Sequence, residues 1–117
     1  MTIRLVHLYT GADGESHFTE GTIGMAPVGP GSERSTAEPV QVASFEETAA
    51  GSSLSWHNAP ARQYVVTLSG TLEFETRGGA RCTIRPGDVL LAEDTTGGGH
   101  RWRLVDDQPW RRVYVTQ

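Results

Sequence analysis

The chain has 117 residues, which is the size of one domain and is enough to bury a hydrophobic core without disulfides or bound metals. All ten positive charges are arginines, so chemistry that needs a lysine Schiff base, including attachment of pyridoxal phosphate, is excluded. The net charge of −4 disfavours nucleic acid as a partner, because such proteins present a basic face to the phosphates.

Residue usage points to a turn-rich all-β protein. The chain has 14 glycines and 6 prolines, and its apolar stretches are rich in the β-branched and aromatic residues that strands favour. No apolar run approaches the roughly 20 residues of a membrane span, and the first residues lack the pattern of a secretory signal. Cys82 has no second cysteine to pair with. We therefore expect a cytoplasmic protein without a membrane partner, in which Cys82 is a buried, unreactive thiol.

The sequence of the first 48 residues predicts two strands separated by a long connection. Residues 2–9 are extended in character and predict the first strand, in which His7 is expected to be structural. Residues 11–38 are rich in proline, glycine and small polar residues, which predicts a long irregular segment within a single domain of residues 1–117. His17 lies in this segment, either as an exposed loop residue or as an additional metal ligand. Alternation returns in residues 39–48 and predicts the next strand.

From residue 53 onward, short strands alternate with clear turn signals. Pro86 and Gly87, for example, occupy the central positions that a type II turn requires. No stretch of useful length has the helical period. Strands at this spacing predict a sandwich or barrel of six to ten antiparallel strands. The predicted strands are 54–57, 63–68, 71–76, 81–84, 89–92, 102–105 and 111–116.

Two segments of this half resemble the two motifs of the cupin superfamily. The first is GSSLSWHNAPARQYVVTLSG, in which Gly51, His57, Gln63 and Gly70 stand at the spacing of the family's first motif. The second is PGDVLLAEDTTGGGHRW, which supplies His100. More narrowly, RQYVVTLSGTLEFE with EDTTGGGHRW resembles a group of small single-domain bacterial cupins. The resemblance implies a double-stranded β-helix, or jelly-roll barrel, that forms a homodimer through its N-terminal strand.

The resemblance also implies a metal site, of which this chain keeps part of the ligand set. Cupins usually supply three histidines and one glutamate, whereas here Ala59 replaces the second histidine and Gln63 replaces the glutamate. The implied ligands are His57, Gln63 and His100, for a divalent Zn, Fe, Mn or Ni ion, with a metal-free site as the alternative. Because a neutral amide does not balance the charge of a divalent ion, such a site would bind its metal less tightly than the full set.

The same three residues suit metal-free catalysis. Imidazole titrates near neutrality, so His57 and His100 are candidates for general acid and base, with Gln63 orienting a carbonyl or enol oxygen. Proton transfer of this kind serves isomerases, lyases and cyclases that act on a small carbonyl- or carboxylate-bearing molecule. A non-catalytic protein that binds or senses a metabolite is the alternative from a different class. A metal-dependent dioxygenase is disfavoured, because half of the usual iron ligands are missing.

Apolar and aromatic residues near these polar groups are the expected walls of the ligand cavity. Alternate residues of a strand share a face, which places Val65 on the same side as Gln63, and Trp102 on the same side as His100. Leu91, in the second motif, is expected to contribute to the same cavity. Together, Val65, Leu91 and Trp102 are the predicted ligand-binding side chains of a small-molecule pocket.

Several other residues of this half have a functional or a purely structural interpretation. Glu93 and Asp94 either act as bases or brace the loop that follows them. The run Gly97–Gly99 lacks the lysine and the helix of a phosphate-binding loop and predicts a mobile lid. Trp110 follows a proline in a turn and is expected at the surface or in an interface. The four arginines within 101–112 are either the solvated face of two strands or a rim that binds carboxylates.

Overall fold

The computed structural model describes residues 2–117, which form strands and connecting turns without a helix. The prediction of an all-β fold is confirmed, and this part of the chain offers no helix that could cross a membrane. The strands are β1 (Arg4–Thr10), β2 (Ser16–Thr22), β3 (Ala26–Gly29), β4 (Ser32–Arg34), β5 (Val42–Thr48), β6 (Ser53–His57), β7 (Gln63–Ser69), β8 (Leu72–Thr76), β9 (Arg81–Ile84), β10 (Val89–Ala92), β11 (His100–Leu104) and β12 (Trp110–Thr116).

The strands form two large sheets and one separate hairpin. The first sheet has six strands in the order β2-β1-β10-β7-β12-β5, and the second has four in the order β6-β11-β8-β9. The hairpin consists of β3 and β4. All pairs are antiparallel except β1 with β10. Within residues 2–117 neither large sheet closes on itself, which agrees with the sandwich that the strand spacing allowed, whereas the jelly-roll barrel implied by the cupin resemblance stays a prediction.

Strand alternation places the apolar core between the two large sheets. In β11, His100, Trp102 and Leu104 are buried, whereas Arg101 and Arg103 are exposed, because residues two apart share a face. The two arginines pair with glutamates of β8 on the outer surface, as expected for a solvated face. The core consists of Val6, Leu8, Val65, Leu72, Phe74, Cys82, Ile84, Leu90, Trp102, Leu104 and Trp110. Burial of each large apolar side chain contributes about 1.5–3 kcal/mol, and the same alternation carries His100 into the interior.

The N-terminal third differs most from its prediction. The segment expected to be irregular, residues 11–38, contains β2, β3 and β4. Only Ser16 and Phe18 of β2 are shielded from solvent, so its sequence lacks the apolar alternation that identifies a strand. It is held instead by its backbone ladder with β1. Because β1 has β2 on one side and β10 on the other, it has no free edge for a second copy of the chain.

Trp110 and Arg112 of β12 are both buried, contrary to their predicted surface positions. The Trp110 indole donates a hydrogen bond to Thr67 Oγ1 over 3.2 Å. The Arg112 guanidinium lies 3.7 Å above the Trp110 ring and donates to Thr48 Oγ1 and Glu46 Oε2. A buried arginine is tolerated here because its N–H groups have acceptors and its charge has a partner.

The glycine run that predicted a mobile lid is a packing junction. The backbone N–H of Gly98 donates to the Gly14 carbonyl over 3.0 Å, and Arg77 Nε donates to the Gly98 carbonyl over 2.8 Å. Gly97 has a φ of +82°, and a Cβ at this position would overlap the Gly14 carbonyl. Gly97 and Gly99 are therefore glycine because neighbouring backbone approaches closely, whereas a Cβ at Gly98 would meet the side chain of Glu15.

A Gly97→Ala change is expected to destabilise the protein by about 2–4 kcal/mol, since it combines left-handed backbone strain with a clash against fixed backbone. Gly78→Ala is the matched control, because a Cβ there meets no atom within 4 Å. Urea unfolding followed by circular dichroism measures both variants. Equal stability of the two would contradict the packing role and favour a mobile loop.

Candidate functional site

A cavity of about 460 Å³ lies between the two large sheets. Its volume falls in the range of sites for small molecules. One edge strand of each large sheet, β5 in the first and β6 in the second, contributes residues to its wall. The apolar lining comes from Leu54, Ala59, Pro60, Val65, Phe74, Leu90, Ala92 and Trp110, and the polar lining from Ser44, Glu46, His57, Asn58, Gln63, His100, Tyr114 and Thr116. A small ligand would therefore meet an apolar surface with a limited set of polar groups.

His57 and His100 lie side by side in this cavity although they are far apart in the chain. They are direct neighbours in the antiparallel pair of β6 and β11, and their ring centroids are 4.4 Å apart in an edge-to-face arrangement. His57 Nδ1 is 2.7 Å from the Ser55 carbonyl oxygen, and His100 Nδ1 is 2.6 Å from Asp94 Oδ2. Both oxygens only accept, so each Nδ1 carries the proton and donates it. Each Nε2 is then the nitrogen left for a ligand.

Asp94 is the residue that orients His100. The Asp94 side chain is 0% exposed, and its Oδ2 also accepts a hydrogen bond of 2.7 Å from Ser16 Oγ on β2. Its Oδ1 has no hydrogen-bond partner among residues 2–117. Asp94 thus braces the site from behind His100 and does not line the cavity, which favours the bracing interpretation over that of a base. Sequence spacing alone missed this contact, because it depends on how the loop between β10 and β11 returns.

His57 is held in its neutral form. Burial is the main cause that lowers its pKa below the ordinary 6.5, and the nearby His100 lowers it further. The hydrogen bond to the Ser55 carbonyl and the charge of Asp94 act in the opposite direction. Because the lowering prevails, His57 is unprotonated at neutral pH and offers an Nε2 lone pair to the cavity.

The structure places the other predicted site residues in two groups. Gln63 and Val65 line the cavity together, since both project inward from β7. Leu91 lies between the cavity-lining Leu90 and Ala92 and so faces the other side of β10, which corrects its prediction as a ligand contact. Trp102 is buried but does not line the cavity; it packs edge-to-face on Trp110 at 4.8 Å, and this corrects its prediction as well.

The electrostatics of the cavity disfavour an anionic ligand. Its lining contains no arginine, and the carboxylate of Glu46 is the charged group at its edge. Glu46 Oε2 pairs with the buried Arg112 over 2.6 Å, so the positive charge of that arginine is already balanced. The proposed rim of arginines for a substrate carboxylate therefore has no free cation at the cavity.

The remaining candidate residues point away from the cavity. Glu93 pairs with Arg62 at 2.8 Å and lies 3.4 Å from His7 Nε2, on the outer face of the six-stranded sheet. His17 is exposed and pairs with Asp13 at 3.0 Å. Neither Glu93 nor His17 can supply the base or the additional metal ligand considered from the sequence.

The donor set does not fit a three-ligand metal centre. Across residues 2–117, no group of three or more histidine, cysteine, aspartate or glutamate side chains could hold a metal ion. His57 and His100 provide two imidazoles, and Gln63 adds only a neutral amide to the same cavity. The nearest carboxylate, that of Asp94, is committed to Ser16 and His100. The metal prediction thus rests on two imidazoles, without the carboxylate that balances a divalent charge.

No protein-family model matches the chain, and no curated protein matches it significantly. The cupin resemblance therefore stays a prediction from the sequence motifs, and the site is interpreted from its geometry.

Stability should depend on the protonation of His57 in mildly acidic solution. Its folded pKa lies below the unfolded value of 6.5, so between these two values the unfolded chain binds more protons. The free energy of unfolding should accordingly fall as the pH drops below about 6.5. In His57→Gln this fall should be smaller. Urea titrations at several pH values between 5 and 8 measure the difference.

His17→Gln is the control for this experiment, because His17 is exposed and does not line the cavity. It should retain the pH dependence of the wild type. If His57→Gln and the wild type lose stability in parallel below pH 6.5, the neutral state assigned to His57 is wrong.

Proposed function

We propose that this protein is an enzyme that transfers protons on a small, uncharged carbonyl compound, as an isomerase, lyase or cyclase does. The observation that carries the proposal is the contact between His57 and His100, with both Nδ1 atoms engaged and both rings in one largely apolar cavity. Two adjacent imidazoles can act as base and acid on the same ligand. We further propose that the two sheets are an open variant of the cupin jelly roll, on the strength of the two motif segments.

The hydrogen-bond partners assign the two roles. His57 donates its Nδ1 proton to a neutral carbonyl, and burial keeps the ring uncharged, so it suits the base. His100 donates to the buried carboxylate of Asp94, which balances the charge of a doubly protonated ring, so it suits the acid. A carboxylate behind a histidine serves in this way in hydrolase triads.

The reaction then follows from these roles. His57 Nε2 takes a proton from the carbon beside the carbonyl, and the electron pair of that C–H bond forms the C=C bond of an enol. The carbonyl π electrons move to the oxygen, which receives the Nε2 proton of His100. Return of a proton to a different carbon gives isomerisation, and loss of a group from the adjacent carbon gives elimination. In this scheme Gln63, which lines the same cavity, holds the oxygen through its amide N–H.

The uncharged substrate class follows from the lining. Eight apolar residues surround the histidines, and the carboxylate of Glu46 is matched by Arg112. An anionic ligand would lose its hydration without meeting an arginine, and the positive charge of a doubly protonated His100 is already balanced by Asp94, so its entry is costly in an apolar cavity. A neutral ketone loses little hydration and can accept hydrogen bonds from His100 and Gln63.

The test is exchange of the α-protons of cyclohexanone in D2O, followed by loss of their proton NMR signals. The wild type should accelerate exchange, and His57→Gln or His100→Gln should lower the enzymatic rate roughly 10²–10⁴-fold. The rate should also fall as the pH drops through the pKa of His57, which lies below 6.5. His17→Gln is the matched control and should exchange at the wild-type rate.

A wild-type rate no higher than that of the His57→Gln/His100→Gln double variant would contradict the proton-transfer proposal. If cyclohexanone nevertheless shifts the histidine signals of the wild type in NMR spectra, the cavity binds a ligand without catalysis. That result would favour the alternative of a metabolite-binding protein.

Asp94 is a positioning residue in this scheme, and Asp94→Asn separates this role from a purely structural one. The variant should lose roughly 10²–10⁴-fold in exchange rate, because an amide cannot balance the charge of protonated His100. The ¹⁵N shifts of the His100 ring should change, because its Nδ1–H would then face an amide instead of a carboxylate. A slower enzyme with unchanged His100 ring shifts would show that Asp94 acts through the fold alone.

A further inference from the structure

Residues 26–47, which we name the arm, are exposed without exception. The arm contains β3, β4, a connecting segment and all of β5 except its last residue, and none of its 22 residues is buried or even half-buried. Large apolar side chains are among them, and Phe45 is the most exposed at 80%. The others are Val28, Val40 and Val42.

The arm is held to the rest of the protein by the ladder between β5 and β12 and by surface hydrogen bonds, with little side-chain burial. Fixing the backbone of each residue costs about 1–2 kcal/mol, and side-chain burial is the main term that offsets it. In the part of the chain that the structure describes, β3 and β4 pair only with each other, and an isolated two-stranded hairpin is marginally stable in water. The exposed apolar side chains of the arm therefore offer a surface that a partner would bury.

The strand β5 offers the docking edge. It pairs with β12 along one edge in regular register, and its other edge, at the end of the six-stranded sheet, has no partner strand among residues 2–117. Natural proteins protect such edges with proline, bulges or free charges, and Val42–Thr48 has neither a proline nor a bulge. Its two charges are occupied, because Glu46 pairs with Arg112 and Glu47 pairs with Arg111.

We propose that a second copy of this chain covers the arm, and that the two β5 strands pair antiparallel about a two-fold axis at Phe45. This register is the one that pairs all seven residues of the strand. It sets Glu47 opposite Ala43 and Glu46 opposite Ser44, so no like charges face each other, and it brings the two Phe45 rings together as a cross-strand pair. A self-complementary strand is what a symmetric interface requires.

The number of residues in the arm agrees with an interface between two copies of the chain. A standard protein interface uses roughly 20–30 residues from each partner, and the arm supplies 22. Pairing at β5 also differs from the pairing through the N-terminal strand that the cupin resemblance implied, since β1 lies between β2 and β10.

The dimer would complete the cavity. Ser44 and Glu46 of β5 line the cavity and are themselves exposed, so the wall on this side is open to solvent. A second β5 paired to this edge would extend the sheet across the opening and set its own Ser44 beside Glu46. The proposal concerns assembly and holds whether or not the cavity is catalytic.

The test is the oligomeric state of the full chain by sedimentation equilibrium. The wild type should have twice the 12.7 kDa mass of one chain. Phe45→Arg should raise the dissociation constant of the dimer about 100-fold or more, because a central aromatic pair is replaced by two like charges. Val105→Arg is the matched control, since Val105 is 46% exposed and lies outside the arm. It should remain dimeric, and both variants should keep the circular dichroism spectrum of the wild type.

A cross-link tests the register itself. Phe45→Cys should form a disulfide between two copies on mild oxidation, because directly opposite residues bring their Cβ atoms near the distance that a disulfide spans. Val105→Cys should not, and the buried Cys82 does not compete. A monomeric wild type, or a dimer unaffected by Phe45→Arg, would overturn the proposal. A dimer weakened by Phe45→Arg but without the Phe45→Cys cross-link would overturn the register.

Discussion

The hydrogen bond between Asp94 and His100 is the contact on which the arrangement of the site depends. A fully buried carboxylate is unfavourable unless it is paired, and Asp94 has two partners, His100 from β11 and Ser16 from β2. Through Ser16, Asp94 joins the end of β10 to the N-terminal part of the chain. Through its other hydrogen bond, it fixes the imidazole of His100. Loss of either partner leaves a buried charge less satisfied, so the geometry of the cavity and the stability of the fold are coupled at this point.

The glycine run makes that contact possible. Asp94 and His100 are six residues apart, and the chain between them must turn back tightly for their side chains to meet. Gly99 has a φ of +76° and lies so close to the backbone of His57 that a Cβ would overlap the His57 carbonyl. The same close approach holds β6 beside the loop and so brings the second imidazole to the first. The small residues that suggested a mobile lid thus fix the relative position of the two histidines.

The sequence predicted those strands that carry a local signal, such as alternating apolar residues or flanking turn residues. Strands 81–84 and 89–92 were placed correctly, because clear turns bound them. β2 was missed because its polar sequence has no alternation and its order depends on pairing with β1. Within the site, His57, Gln63 and Val65 fall in one cavity as motif spacing implies. Leu91 was assigned to the wrong face, since a strand of four apolar residues gives no signal that distinguishes its two sides. The partnership of Asp94 with His100 required the path of the loop, which no local pattern encodes.

The exposure of β5 connects assembly to the electrostatics of the cavity. Arg112 is 2% exposed, whereas its partner Glu46 is 57% exposed, so a buried cation is balanced by a carboxylate that is still largely in water. Solvent weakens such an attraction, and covering Glu46 with a second β5 would strengthen it by lowering the local dielectric. The same covering would remove water from the side of the cavity that faces the histidines. In the proposed dimer, pairing of the two β5 edges would therefore have two effects. It would strengthen the ion pair between Arg112 and Glu46, and it would exclude water from the cavity.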